Sequence, residues 1–439
     1  MVNLKKYQKK KIAIYGLGKT GQSAAKIFKG FNSEILCWDD SAKVRKKLKK
    51  LNFNIKKFWL NKYNIKNIVI SPGIDIYKCK IKKYLKKNFE KIITDLDLFF
   101  ELNKKATLIS ITGTNGKSTT CKIIEKILST AKYNVKTVGN IGNPILYSHN
   151  KRKKFILILE VSSYQLQYSK LFRSKHAAIL NISPDHLERH KNMKNYTEVK
   201  SKIFYAQKKT DYSYINFNDK NINSVKKIFK RKKIKSKLVV VNNSNGVFLL
   251  KKIKNKYFES KGNKENFSFA YMIAKNFNIS DKIIVKALNN FKGLPHRQEV
   301  IFSNKKILCV NDSKATSFDA SYQSLSNYKN IYWIVGGLPK QKDKFYLNKV
   351  RKKIIKAYII GKNPEFFKNE IKGHIPYIIS RNIKNALKSI HSDLRTKNNY
   401  QKTILLSPAA ASFDQFYNFE IRGEYFKDLV IKKFNKKNA

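Results

Sequence analysis

The chain has 439 residues, 42% of them hydrophobic, enough for two to four domains with cores of their own. Lys and Arg outnumber Asp and Glu by 93 to 29, a formal net charge of +64. The lysines are spread along the chain without a recognisable nucleic-acid-binding module, and Asn, Ile, Tyr and Phe are frequent beside them, as AT-rich coding produces, so no specific nucleic acid is expected.

Cys37, Cys79, Cys121 and Cys309 are scattered, which argues against a disulfide framework or zinc site and suits a cytoplasmic protein. Residues 12–17 are too short and glycine-rich for a signal peptide, and runs such as 155–159 are too short to insert in a membrane.

The first element is a strand over 11–15, followed by Gly16-Leu17-Gly18-Lys19-Thr20-Gly21 and a helix carrying Ala24, Ala25, Ile27 and Phe28. Strands over 35–38 and 68–70 end at Asp39-Asp40 and at Ser71-Pro72-Gly73. Glycines spaced Gly16-x-Gly18-x-x-Gly21 between strand and helix, with Asp39 about twenty residues on, let the backbone approach a pyrophosphate. This block, ending near residue 95, reads as Rossmann-like; taken alone it suggests a nicotinamide-dependent oxidoreductase.

The second block opens with an apolar run (Leu108, Ile109, Ile111), then Gly113-Thr114-Asn115-Gly116-Lys117-Ser118-Thr119-Thr120, then Ile123, Ile124, Ile127 and Leu128 at helical spacing. Here free backbone N–H groups at a positive helix end cradle a polyphosphate, Lys117 reaches its terminal phosphates, and the Ser118 hydroxyl ligates magnesium. No dehydrogenase reading explains this second phosphate loop. Strands follow over 155–159, 177–180 and 238–241, then a helix with Ile283, Ile284 and Leu288, and Gly293-Leu294-Pro295 marks a linker. The Lys/Asn-rich stretch 226–237 reads as solvated surface. The third block alternates strands (307–310, 331–335, 358–360, 404–406) with helices, a second open α/β sheet.

The short loop, with two residues rather than four between Gly113 and Gly116-Lys117, resembles the ATP loop of the muramyl (Mur) ligases and folylpolyglutamate synthases. Further marks follow in family order: Ser71-Pro72-Gly73, Gly139-Asn140-Ile141-Gly142, Glu160-Val161-Ser162-Ser163-Tyr164-Gln165-Leu166, and Asn181 through Asp185-His186 to His190. Gly293-Leu294-Pro295-His296-Arg297, Asn311-Asp312-Ser313-Lys314-Ala315-Thr316 and Ser407-Pro408 through Gln415-Phe416 resemble the D-glutamate-adding branch of that family. The alternative is a sister muramyl or folylpolyglutamate-type ligase with another amino acid.

The resemblance implies an α/β protein of three domains: a Rossmann-like UDP-substrate domain over 1–95, a central P-loop ATPase-like domain over 96–293, and a Rossmann-like amino-acid domain over 294–439. It implies a monomeric, ATP- and Mg²⁺-dependent ligase joining D-glutamate to UDP-N-acetylmuramoyl-L-alanine. ATP would come to Gly113 through Thr119, Arg297, Asp312 and Lys314. Gly16, Gly18, Lys19, Thr20, Gly21, Asp39, Ser71, Gly73, Asn140, Ser162 and Gln165 would hold the UDP substrate, and Thr316, Lys340, Ser412 and Phe419 D-glutamate. Ser118, Glu160, His186 and a carbamylated Lys200 would ligate metal, and Lys117, His186, Lys200 and Lys314 would be catalytic.

The chain also departs from the family. Glu265-Asn266-Phe267-Ser268-Phe269 replaces His-Asn-x-x-Asn, whose second Asn reads adenine; Asp40-Ser41 replaces a Thr-Arg that contacts uracil and diphosphate; Ala410 replaces a cysteine.

Overall fold

The computed structural model describes residues 5–60, 63–139, 144–148, 155–340, 343–394 and 400–434. Residues up to Phe291 form one compact unit and those from Lys292 onward another. The first unit contains two sheets and the second contains one.

In the first sheet β1 (Lys11–Tyr15), β2 (Glu34–Trp38), β3 (Asn67–Ile70) and β4 (Ile92–Thr94) are parallel in the order β2-β1-β3-β4. The chain leaves β1 in one direction for β2 and returns on the other side for β3. The crevice at such a reversal, beyond the strands' carboxyl ends, is where open α/β sheets bind ligands. Here it lies between the turns at Gly16 and Ser71.

The second sheet holds β5 (Thr107–Thr112), β6 (Val135–Gly139), β7 (Ile156–Glu160), β8 (His176–Ile179), β9 (Tyr212–Asn216) and β10 (Lys237–Val241), all parallel, in the order β10-β9-β8-β5-β7-β6. β5 is flanked by β7 and β8, so its phosphate loop emerges between their ends.

The third sheet holds β11 (Glu299–Ser303), β12 (Ile307–Asn311), β13 (Ile331–Gly336), β14 (Ile354–Ile360), β15 (Tyr377–Arg381) and β16 (Lys402–Leu406), in the order β11-β12-β16-β13-β14-β15, parallel except for the antiparallel edge β11. The loops after β12, β16 and β13 are thereby neighbours.

Buried strands send alternate residues into two cores, as a sheet covered on both faces requires. Ile12 and Ile14 face one core and Ala13 and Tyr15 the other; Trp333 and Val335 oppose Tyr332 and Ile334 in the same way. One core is continuous from the first sheet into the second, joining Ile14 and Phe28 to Leu108, Leu157 and Leu159.

The α/β class and the expected strands are present. β4, β6, β9, β11 and β15 are strands that the hydrophobic pattern does not mark. β4 is three residues long, β6 and β11 are half-exposed edges, and β9 carries buried Ser213 and Asn216 among its apolar residues. The stretch 226–237 is not wholly solvated. It includes most of the helix Ile222–Arg231, which buries Val225 and Ile228.

Candidate active site

The turn after β1 is built for close approach. Gly16 has φ +91°, and a Cβ there would lie 2.8 Å from the Ser71 Cβ; a Cβ on Gly21 would lie 2.0 Å from the Gly16 carbonyl oxygen. Ser71 Oγ donates to that carbonyl oxygen at 2.6 Å, locking the β1 and β3 loops together. Both Asp39 oxygens are taken up locally, accepting the Leu17 N–H at 2.7 Å and the Ser41 N–H at 2.9 Å.

These loops face a cavity of ≈ 1040 Å³. It is lined by nine of the eleven residues expected to hold the UDP substrate: Gly16, Gly18, Lys19, Thr20, Asp39, Ser71, Gly73, Ser162 and Gln165. Gly21 sits behind them in the helix packing, and Asn140 lies outside the described residues. His186 lines the same cavity.

At the end of β5, Gly113 (φ +157°) and Gly116 (φ +84°) turn the chain into the helix Lys117–Thr130, whose first turn has no side-chain cap. Its N–H groups therefore remain for an anion. The segment after β8 clamps the loop: Thr114 N donates to Asn181 O at 3.0 Å, and Asn115 N to Asn181 Oδ1 at 2.8 Å. Lys117 Nζ folds over the loop, donating to Gly113 O at 2.9 Å and Thr114 O at 2.8 Å. Thr119 is buried beneath it.

Ser118 Oγ donates to Glu160 Oε2 at 2.6 Å, so the helix start and the end of β7 present two oxygen ligands side by side. That pair fits a hard divalent cation bound with a nucleotide. Phe269, where the family reads adenine, is in the apolar core instead. Asn266, three residues earlier, packs on the loop; a Cβ on Gly116 would come within 2.2 Å of its Oδ1, which accepts from Thr120 Oγ1.

Lys200, on the helix Met193–Ser201, is 2% exposed, and its Nζ donates to Gly113 O at 2.9 Å. Burial, and then the Lys117 charge, hold its amine well below the ordinary lysine value. An ammonium cannot ligate magnesium, so Lys200 fits a metal site only as the carbamate. His186 takes left-handed backbone (φ +53°). Its Nδ1 lies 3.1 Å from the Tyr164 hydroxyl and its Nε2 3.3 Å from Asp185 Oδ2.

In the second unit, Asp312 follows β12 and is buried. It accepts from Ser324 Oγ (2.5 Å), Ser407 Oγ (2.8 Å) and the Gln298 N–H (3.2 Å), tying the turn that carries Arg297 to the β16 loop. Burial pushes its carboxyl up to about 6, against the pull of those hydrogen bonds and of Arg297. Lys314 Nζ lies 5.4 Å over the Phe419 ring. Leu338 and Ala411 exchange two backbone hydrogen bonds of 2.9 Å, fixing the loop that leads to exposed Lys340 against buried Ser412. Thr316 is half-buried beyond Lys314.

Two residues that organise these sites are not among those expected from the sequence. Arg422, 1% exposed, donates from Nε to Ser313 Oγ (3.0 Å) and from Nη2 to Ser313 O (2.8 Å) and Ala410 O (3.0 Å). Ser313 Oγ in turn donates to Phe419 O at 2.8 Å, so one guanidinium joins the loops after β12 and β16 to the last helix. Arg189 lines the cavity of the first unit, donating to Gln167 Oε1 (2.7 Å) and Gly73 O (3.2 Å). Its motif, ending at His190, was visible in the sequence; nothing there marked Arg422 among so many basic residues.

Comparison with known proteins agrees with this arrangement. Residues 111–287 match the Mur ligase middle domain. The UDP-N-acetylmuramoylalanine–D-glutamate ligase of Rickettsia bellii (strain RML369-C) is 36% identical over 96% of this chain and 97% of its own. The ligase of the same description from Phenylobacterium zucineum (strain HLK1) is 31% identical over 98% of each. In fold, the chain is similar to the MurF ligase of Thermotoga maritima solved with ADP (TM-score 0.59, 15% identity, 98% of this chain and 97% of that one). It is also similar to a pseudomurein peptide ligase type C from Methanothermus fervidus (TM-score 0.55, 16% identity, 96% and 99%).

Proposed function

Because the chain belongs to the UDP-N-acetylmuramoylalanine–D-glutamate ligases of the Mur ligase family, we propose an assignment of its residues to the steps of that reaction. The enzyme is an ATP-dependent ligase that adds D-glutamate to UDP-N-acetylmuramoyl-L-alanine in peptidoglycan synthesis. A carboxylate is a poor electrophile, so the alanyl carboxylate first takes the γ-phosphate of ATP. The amine of D-glutamate then attacks the acyl phosphate, and phosphate leaves. The two steps crowd negative charge, and catalysis consists mainly of orienting the reactants and neutralising that charge.

The observation that carries the assignment is the cavity at the ends of β1, β3 and β7, lined in common by Gly16 and Ser71 of the first sheet's loops and by Ser162 and Gln165 after β7, residues far apart in the sequence. Gly16, Gly18, Lys19, Thr20, Gly21, Asp39, Ser71 and Gly73 hold the UDP end in this reading, and Ser162 and Gln165 the muramoyl-alanine end. Gly113 through Thr119 cradle the ATP phosphates, Lys117 leaving its carbonyl partners to follow charge onto the transferring group. Ser118 and Glu160 would hold Mg²⁺, which would supply positive charge against the phosphates. His186 and a Lys200 carbamate would hold a second cation. The neutral amine of Lys200 adds carbon dioxide, forming an N–C bond and releasing a proton.

In the second unit, Arg297 and Lys314 are the proposed cations for the nucleotide, and Asp312 holds Arg297 in place. Thr316, Lys340, Ser412 and the backbone at Phe419 form the D-glutamate pocket. The ranges 1–95, 96–293 and 294–439 follow as UDP-substrate, ATP and amino-acid domains, supported by one sheet in each. A cytoplasmic setting is supported by four free cysteines.

The test is phosphate release with ATP and UDP-N-acetylmuramoyl-L-alanine, varying only the amino acid. D-Glutamate should be strongly preferred; comparable rates with L-alanine or diaminopimelate would refute the assignment of the third-sheet pocket.

A further inference from the structure

One carboxylate in the first-unit cavity has no role in the assignment above. Asp95 opens the helix Asp95–Leu102 directly after β4, is 2% exposed and lines the cavity. Its Oδ2 accepts from Gln165 Nε2 at 2.9 Å. Its Oδ1 is buried and has no hydrogen-bond partner. A buried carboxylate oxygen left without a donor is unfavourable, and native structures rarely tolerate one without a reason. Burial pushes the Asp95 carboxyl up to about 6, against the pull of the Gln165 amide and of the nearby Leu96 and Asp95 backbone N–H groups.

The bond through Oδ2 has a consequence of its own. A glutamine amide has a donating and an accepting end. With Nε2 committed to Asp95, Gln165 presents Oε1 to the Ser162 N–H and to Ser162 Oγ, each at 3.1 Å. Ser162 Oγ also accepts the Gln165 N–H at 3.3 Å, closing a capping box at the end of β7. Asp95, directly after the edge strand of the first sheet, therefore sets the orientation of the two residues assigned to the muramoyl-alanine end.

We propose that Asp95 is a substrate-binding residue, its Oδ1 accepting the N–H of the amide that joins lactoyl and alanyl groups while its Oδ2 locks Gln165 and Ser162. This rests on the UDP-substrate reading of the cavity. The carboxylate that carries the unpaired oxygen holds Gln165 directly and Ser162 through it, both assigned to that end of the substrate, and an amide N–H is the donor that the chemistry supplies there. Asp95 also lets the site distinguish a substrate that has received its first amino acid from one that has not, because UDP-N-acetylmuramate lacks this amide.

The experiment measures affinity by calorimetry without ATP, on the full chain. Its ligands are UDP-N-acetylmuramoyl-L-alanine, UDP-N-acetylmuramate, and an ester analogue with oxygen in place of the alanyl N–H. The unaltered chain should bind the ester about tenfold or more weaker than the amide, since a hydrogen bond to a charged acceptor is lost. Asp95→Asn keeps an oxygen for Gln165 but turns an N–H₂ toward the substrate's N–H. It should weaken the amide substrate by a similar factor, leave UDP-N-acetylmuramate within twofold, and no longer favour amide over ester. In turnover its KM for the UDP substrate should rise while the KM for ATP and for D-glutamate stay put. Equal binding of ester and amide by the unaltered chain overturns the inference, whatever the variant does. So does an Asp95→Asn that loses all three ligands alike, which is the mark of a merely structural residue. Failure of the unaltered chain to bind UDP-N-acetylmuramoyl-L-alanine at all removes the cavity reading itself, and this inference with it.

Discussion

Lys200→Ala separates a catalytic lysine from an ordinary buried one. The substitution removes three methylenes and an amine from a side chain that is 2% exposed. At about 0.8 kcal/mol per buried methylene, the lost transfer energy is about 2.4 kcal/mol, with a further cost for the cavity left behind. Gly113 O does not become orphaned, because Lys117 Nζ still donates to it at 2.9 Å. Against the ~5–15 kcal/mol that holds typical domains folded, the variant stays folded with a lowered unfolding midpoint. Its activity should fall far more than this stability loss explains, by orders of magnitude in kcat, because it cannot form the proposed carbamate carboxylate. A short carboxylic acid in the buffer should restore part of the activity, since the vacated volume beside Gly113 admits a free carboxylate. Lys200→Arg keeps the positive charge and supplies no carboxylate, so it should be nearly as inactive. The assay is phosphate release, with circular dichroism to verify folding. Normal turnover by Lys200→Arg, or a folded Lys200→Ala that no added acid rescues, refutes the carbamate reasoning.

Lys117→Ala should bind ATP with modest weakening but lose kcat by orders of magnitude, since Nζ matters most as charge moves onto the transferring phosphate; near-normal phosphate release from a folded variant refutes that role. Asp312, whose carboxyl is raised to about 6, binds its proton more tightly folded than unfolded, so its contribution to stability is complete below about pH 4 and is lost as pH rises through 6. Denaturant titrations from pH 4 to 7 should therefore show a smaller fall in unfolding free energy for Asp312→Asn than for the parent, and parallel curves would refute it. A net charge of +64 should steer the polyanionic substrates, so kcat/KM for the UDP substrate should drop as salt rises from 20 to 300 mM, roughly in proportion to the screening of long-range charge. Salt-independent kcat/KM would confine any electrostatic role to the groups inside the cavity.

Much of this protein is legible because its phosphate sites are local. A strand that turns through glycines into a helix is a device of about ten consecutive residues, and both Lys11 to Gly21 and Leu108 to Lys117 carry it in full. Strands buried on both faces, such as Ile331–Gly336, are likewise written as apolar runs. Edge strands are not: Val135–Gly139 buries part of its surface and alternates weakly, so only its pairing with β7 reveals it.

Each turn's chemistry is written locally in the chain: where backbone N–H groups are left free, where a hydroxyl follows a lysine, where a carboxylate ends a strand. The tertiary structure decided which of these turns meet. Parallel strands joined by crossover helices place their carboxyl ends side by side in an order unrelated to chain order. Thus Ser118 finds Glu160 42 positions away, and Gly113 O finds Lys200 87 positions away. Burial is also a property of the fold alone. Lys200 is one lysine among many until the Met193–Ser201 helix packs it under the Gly113 loop, where burial holds its amine well below the ordinary lysine value. Asp95 is an ordinary helix-start aspartate until the first sheet sets it against Gln165 with one oxygen unpaired. In each case the deciding quantity is solvent exclusion by residues distant in sequence, which no local pattern encodes.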